Sequence, residues 1–330
     1  MLLYDDIAAE YLDFAAYATG DSETFRDWSS RIAADDEVLA WLAELPPVKH
    51  QPNLVFAAAR FHGVPAPARY GVLRDALLGD EGPIRATILS RATQTNEVGR
   101  LATLLPAFAS LGAEPLALLE VGASAGLCLY PDRWAYEWVT DAGVVRLGEP
   151  TAGPASVLTC RAKGDAPLPR TVPPIVWRGG LDLNPLDVTS TDDMAWLTTL
   201  VWPEHDDRRE RLAHAIDVAA ADPPRLRRGD LLTDLSALVD EASAHGTVVV
   251  FHSAVIAYLE PTDRLAFDTM MRELVAAGRC HWVSNEGKRV LPSITATGPA
   301  IPEEKQTFVL GVDGLAVAHT HGHGRSMRWL

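Results

Sequence analysis

LLEVGASAGL, residues 118–127, ties an apolar run to a cluster of small residues, and its reading decides the fold. Two signatures overlap in it. Taken as Gly122-x-Ser124-x-Gly126, it has the form of a serine hydrolase nucleophile elbow. Taken as Glu120-x-Gly122-x-x-x-Gly126 after LALLEVG, it is a strand buried on both faces that delivers a glycine-rich turn.

The elbow needs strands ahead of it, because its serine sits in mid-sheet and an upstream loop supplies an oxyanion donor. Upstream of residue 112 the spacing is helical instead. Ile7, Tyr11, Phe14 and Ala15 form one stripe, and Phe25, Trp28 and Ile32 another behind a cap at Asp21 or Ser22. DEVLAWLAEL, PNLVFAAARFHG and ARYGVLRDALL predict three further helices, the second with proline in its first turn. IRATILSRATQTNEVGRLATLLPAFASLG predicts one long helix closed by Gly112. LALLEVG is thus the first strand, which favours the ligand-cradling turn over the hydrolase.

Beyond it, PPIVWRGGLDLNP, PRLRRGDLL, GTVVVFHS and RCHWVSNEG are strand candidates separated mostly by helical segments. Such alternation means crossover units and a parallel sheet. QTFVLGV and LAVAHTH flank Asp313-Gly314, a hairpin signal. The expected fold class is α/β: a Rossmann-like, methyltransferase-type sheet, mostly parallel with a C-terminal antiparallel hairpin. An all-helical N-terminal cap over residues 1–112 precedes a core over residues 113–330, with an inserted excursion near residues 140–172.

Composition narrows the partners. The 330 residues are 48% hydrophobic and 22% charged, as in a globular protein, and no apolar window nears the roughly 18 residues of a membrane span. A net charge of −15 disfavours nucleic acid and anionic membranes and leaves a small molecule as the expected substrate. The basic clusters DDRRER and RLRRGD have acidic neighbours and read as solvated helix faces or end-caps. Three scattered cysteines and the acidic opening MLLYDDIAAEY indicate a reducing, cytoplasmic setting.

An acid two residues before the first of two glycines spaced four apart resembles the first motif of the class I S-adenosylmethionine-dependent methyltransferases. Ser124 stands where that motif has its middle glycine. Over nearly the whole chain, QPNL, QTNEVGR, LLEVGASAGL, RGGLDLNPLD, VWPEHDDRRERL, RRGD and HGHGRSMRWL resemble the bacterial domain-of-unknown-function family 2332. That family's core is similar to the methyltransferase fold, so the implied activity is an analogy.

The resemblance implies S-adenosylmethionine as cofactor, held at Gly122, Ala123, Ser124 and Gly126. Glu120 would sit near its ammonium group or organise the loop. Asp182 is the candidate for the ribose, ahead of Asp187, although it lies far beyond the usual offset of roughly 20 residues. Asp230 would approach the adenine amine or cap the following helix. His252 and Ser253, at a strand's carboxyl end, would face the methyl donor, with His252 a base or a structural histidine. Glu286 is a second base candidate, and Tyr258 would line the same pocket.

Asn96, Glu97 and Arg100 put a polar stripe on one helix face, for an acceptor pocket between cap and core or for an interface. His319, His321 and His323 alternate, so an extended strand would show all three on one face. That spacing suits zinc, copper or nickel, but glycines at 322 and 324 interrupt a strand. His321 and His323 are therefore assigned to the wall of the substrate pocket, and no metal is expected. Two other classes stay open: a non-catalytic S-adenosylmethionine- or nucleotide-binding regulator, and a metal-dependent or serine hydrolase. The sequence leaves the methyl acceptor and the oligomeric state open.

Overall fold

The computed structural model describes residues 6–94, 96–112 and 114–330, so the first five residues of the acidic opening lie outside it. The chain forms two compact units, Met1–Thr95 with Ser190–Glu210, and Asn96–Thr189 with Arg211–Leu330. The protein is of the mixed α/β class, with a largely parallel sheet and many helices.

The first unit contains α1 (Ile7–Ala18), α2 (Glu23–Ile32), α3 (Asp36–Ala43), α4 (Pro52–Phe61), α5 (Tyr70–Leu78) and α6 (Pro83–Ser90). Local chemistry sets their starts. Asp6, Ser22 and Asp35 accept backbone N–H groups as N-caps, and Pro52 and Pro83 occupy first turns where no N–H is needed. The core is aromatic, with Phe25, Trp28 and Phe56 meeting at centroid distances of 4.9–5.8 Å. α7 (Leu101–Ser110) belongs to the second unit, and the chain returns to the first with α8 (Thr191–Thr199).

The single long helix expected from residue 84 to 112 is in fact two. α6 ends at Ser90 and α7 begins at Leu101, after a short 3-10 turn Val98–Arg100. Side chains in the gap prefer other partners. Asn96 bonds to the main chain of residues 123 and 127, and Glu97 accepts its own turn's Gly99 N–H at 3.2 Å. The boundary between the compact units therefore falls at residue 95 rather than 112, with α7 packed on the sheet.

In the second unit the strands are β1 (Leu116–Val121), β2 (Ala135–Thr140), β3 (Gly143–Leu147), β4 (Val157–Lys163), β5 (Ile175–Asp182), β6 (Arg225–Arg228), β7 (Thr247–Ser253), β8 (His281–Gly287), β9 (Phe308–Val312), β10 (Leu315–Thr320) and β11 (Ser326–Trp329). They form one 11-stranded sheet in the order β3-β2-β4-β11-β10-β9-β8-β7-β1-β5-β6. β6, β5, β1, β7 and β8 are mutually parallel, and β9 and β10 form the antiparallel hairpin expected across Asp313-Gly314. α9 (Asp206–Ala221), α10 (Leu231–Ser243) and α11 (Pro261–Ala276) separate the later parallel strands. Among the described residues no strand precedes β1, and no helix is long and apolar enough to cross a membrane.

The excursion expected near residues 140–172 starts earlier and joins the sheet. Its hairpin is β2–β3, anchored by Tyr136 and Trp138, whose rings stack 5.2 Å apart. The Trp138 indole N–H donates to the Ala102 carbonyl of α7 at 2.8 Å.

Strand alternation divides β1, β7 and β8 between two faces. Val121, Val250 and Trp282 pack in the cluster that includes Leu235 of α10 and Phe267 of α11. Phe251 points the other way and meets Phe108 of α7 edge-on at 5.3 Å. Glu120 pairs in register with Phe251 and so shares the α7 face.

Candidate functional site

β1 ends in a tight turn. Gly122 and Gly126 take positive φ (67° and 70°), and so does Ser124 (52°), a conformation that L residues avoid. The turn holds itself. The N–H groups of Gly122 and Ala123 donate to the Leu181 carbonyl at 2.8 and 3.3 Å, and that of Gly126 to the Ala123 carbonyl at 2.6 Å. The Ser124 N–H donates to Asp182 Oδ2 at 2.8 Å, and the Leu127 N–H to Asn96 Oδ1 at 3.0 Å.

The cradle expected at residues 122–126 is corrected to this extent: the N–H groups of Gly122, Ala123, Ser124 and Gly126, and that of Leu127, already have partners. Both methyls of Val255 cover the open side of Gly122, so a Cβ there would collide with them. At Gly126 a Cβ would lie 2.9 Å from Pro224 Cγ. Ala123 is fully buried, and Gly180 lacks the Cβ that would crowd it.

On the α7 face the polar residues converge. Glu120 is 7% exposed, and its Oε2 is buried without a hydrogen-bond partner. Burial drives its carboxyl well above the usual carboxylate range; Arg100 opposes that shift and Asp182 adds to it. Arg100, itself buried, donates from Nη1 to the Ser253 carbonyl and from Nε to the Gly322 carbonyl, both at 2.8 Å. Ser253 Oγ accepts from Asn285 Nδ2 at 2.9 Å, and Asn285 Oδ1 accepts from the Thr320 hydroxyl at 2.6 Å.

Glu97 Oε2 lies 3.4 Å from His323 Nδ1. Gly99 and Gly324 are in such close backbone contact that a Cβ at either would strike the other turn. Asn96, Glu97, Arg100, Glu120, Ser253 and His323 thus share one neighbourhood within the second unit.

His252 and Glu286 lie on the opposite face. His252 is fully buried; its Nδ1 is 2.7 Å from Glu286 Oε1, and its Nε2 accepts from the Trp282 indole N–H at 3.0 Å. An acceptor role at Nε2 fixes the proton on Nδ1, so no lone pair is left to receive another. Glu286 Oε1 also accepts the N–H groups of Val255 (3.0 Å) and Ile256 (3.2 Å). The expected base is corrected accordingly: both ring nitrogens are engaged in packing the turn after β7.

Tyr258, expected in the same pocket, is 77% exposed on a 3-10 turn. Asp182 stands at the end of β5 beside the glycine turn, but its Oδ1 and Oδ2 accept the Asn184 and Ser124 N–H groups. Asp230 caps α10, accepting the Leu232 N–H at 2.7 Å. Asp187 closes a turn on Thr189, whose hydrogen bonds hold its carboxyl below the usual range.

The three histidines do not share a strand. β10 stops at Thr320, and His321 and His323 lie in the following turn, where His321 Nδ1 accepts the His323 N–H at 3.0 Å. Among the described residues no group of three or more His, Cys, Asp or Glu side chains is placed to hold a metal ion. Asn285, Thr320 and Val255 escaped sequence reasoning. Asn285 was legible, since alternation with Glu286 puts it on the α7 face.

A largely parallel sheet with many helices defines a protein of the mixed α/β class. Within that class, residues 8–329 match the family model described as "Uncharacterized protein conserved in bacteria (DUF2332)", and the chain belongs to that family. No curated protein and no solved structure matches the chain.

Proposed function

We propose that the second unit binds S-adenosylmethionine at the carboxyl ends of β1, β5 and β7 and directs its methyl group to a small molecule. Counted in chain order, the five parallel strands run 3-2-1-4-5, in keeping with a Rossmann-like, methyltransferase-type core. In such sheets ligands enter where strand order reverses, here between β1 and β7.

The observation that carries the reading is Glu120: a buried carboxyl with a free oxygen at that point and Arg100 as the basic neighbour acting on it. A cationic ligand group would supply the missing partner and draw the carboxyl back to its ionised form. The fit is to side chains rather than amides. Glu120 would take the ammonium end, and Asp182 with Asn184 the ribose side. S-adenosylmethionine supplies an electrophilic methyl on a sulfonium, so the chain's part is to orient the two molecules and exclude water.

Calorimetric titration with S-adenosylmethionine and S-adenosylhomocysteine tests this. We expect both to bind, and Glu120→Gln to weaken S-adenosylmethionine about tenfold or more, the loss of one charge-assisted contact. Absence of heat with either ligand overturns it. Binding without catalysis is a second reading, favoured by the engagement of His252 and Glu286 with each other; it predicts ligand heat but no labelled methyl product.

A further inference from the structure

Val255 lies one residue beyond β7, after Ala254, and packs on the glycine that follows β1, the point where the two strands part. Its turn is held unusually. Ala254 has φ 59°, a left-handed conformation costing an alanine about 1 kcal/mol or more. Three hydrogen bonds hold residues 254–256: Ala254 N–H to the Asn285 carbonyl at 3.1 Å, and the Val255 and Ile256 N–H groups to one oxygen of Glu286.

The flanks are fixed. Ser253 is tied by Arg100 and Asn285, and Ile256 is wholly buried in the core cluster. Between two anchors lies a strained two-residue link whose valine side chain lies over Gly122. Glu286 is itself under-used, since its second oxygen is buried without a partner.

We propose that Val255 is a gate: its side chain covers the turn at Gly122, at the strand ends where a ligand would enter, and residues 254–255 swing aside to admit one. The identity of that ligand rests on the reading given under Proposed function; the motion does not. Release of the left-handed strain at Ala254 offsets part of the cost of opening. Opening leaves Ile256 in the core, so it is local and cheaper than unfolding. The Glu286 oxygen that binds both amides acts as the latch, with His252 and Trp282 holding that carboxylate in place.

The experiment combines amide hydrogen exchange of the intact protein with ligand titration of wild type and Val255→Ala. A gate makes the Val255 and Ala254 amides exchange at least about a hundredfold faster than those of Val249 and Phe251. It also makes Val255→Ala bind S-adenosylhomocysteine about tenfold more tightly. Exchange of all four amides only by global unfolding overturns the proposal, and so does unchanged affinity in a wild type and variant that both bind. Fast local exchange with no binding by either protein leaves the gate standing and removes the S-adenosylmethionine reading instead.

Discussion

His252 and Glu286 face each other from β7 and β8, Nδ1 2.7 Å from Oε1, on the side of the sheet away from Glu120. Adjacent residues of one strand, His252 and Ser253, therefore serve different surroundings. The imidazole completes the packing under α11, where it meets Phe267 edge-on at 5.3 Å, while Ser253 faces the polar neighbourhood of Arg100.

Removal of the Glu286 carboxylate is expected to act on stability first. Glu286→Ala leaves His252 Nδ1 and the Val255 and Ile256 amides without their acceptor, and a loss of about 1–3 kcal/mol follows for buried donors left unsatisfied. Urea unfolding measures it. A loss below about 1 kcal/mol would mean that the pair is dispensable.

Glu120 sets a pH dependence of known sign. Its carboxyl is raised above the ordinary 4.5, so between that value and the native one the folded chain holds the extra proton. Stability then falls as pH rises through this window, because the native state binds more protons than the unfolded one. Glu120→Gln, which stays neutral, should be more stable than wild type near pH 8 and about equal to it near pH 4. Urea midpoints across that range check it; parallel curves for the two proteins contradict it.

Asp182 joins two turns. Asp182→Ala removes the acceptor for the Ser124 and Asn184 amides and should cost about 1–3 kcal/mol, whereas Asp182→Asn keeps one acceptor oxygen and costs less. Thermal unfolding orders the three proteins. If the carboxylate also meets a ribose, both variants lose ligand affinity by more than their stability changes explain.

Much of the fold was legible because burial writes itself into periodicity. LALLEVG, GTVVVFHS and the hairpin at Asp313-Gly314 announced their strands, and Ser22 and Pro52 their helix starts. β2, β3, β4 and β11 were not among the candidate strands. One partner of β4 is β11, over 160 residues later, and the exposed pattern of β3 carries no core signal. At the candidate site, residues 96–100 were read as a helix face and instead lead into a 3-10 turn beside residues 122–127 and 322–324, and the sequence did not show which groups there are already bonded. A motif specifies where a chain bends; whether the bend's amides are spent depends on Asp182 and Asn96, far from it in sequence.

β11 lies between β4 and β10, so in the strand order the three-stranded lobe β2–β4 meets the remaining strands only through Ser326–Trp329. A four-residue keystone thus arrives after the strands on either side of it. During biosynthesis β4 must wait with a bare edge while more than 160 residues are threaded, a delay in which chaperones or sister chains compete for that edge. Assembly of the lobe, more than its final steadiness, is where this architecture is exposed to error.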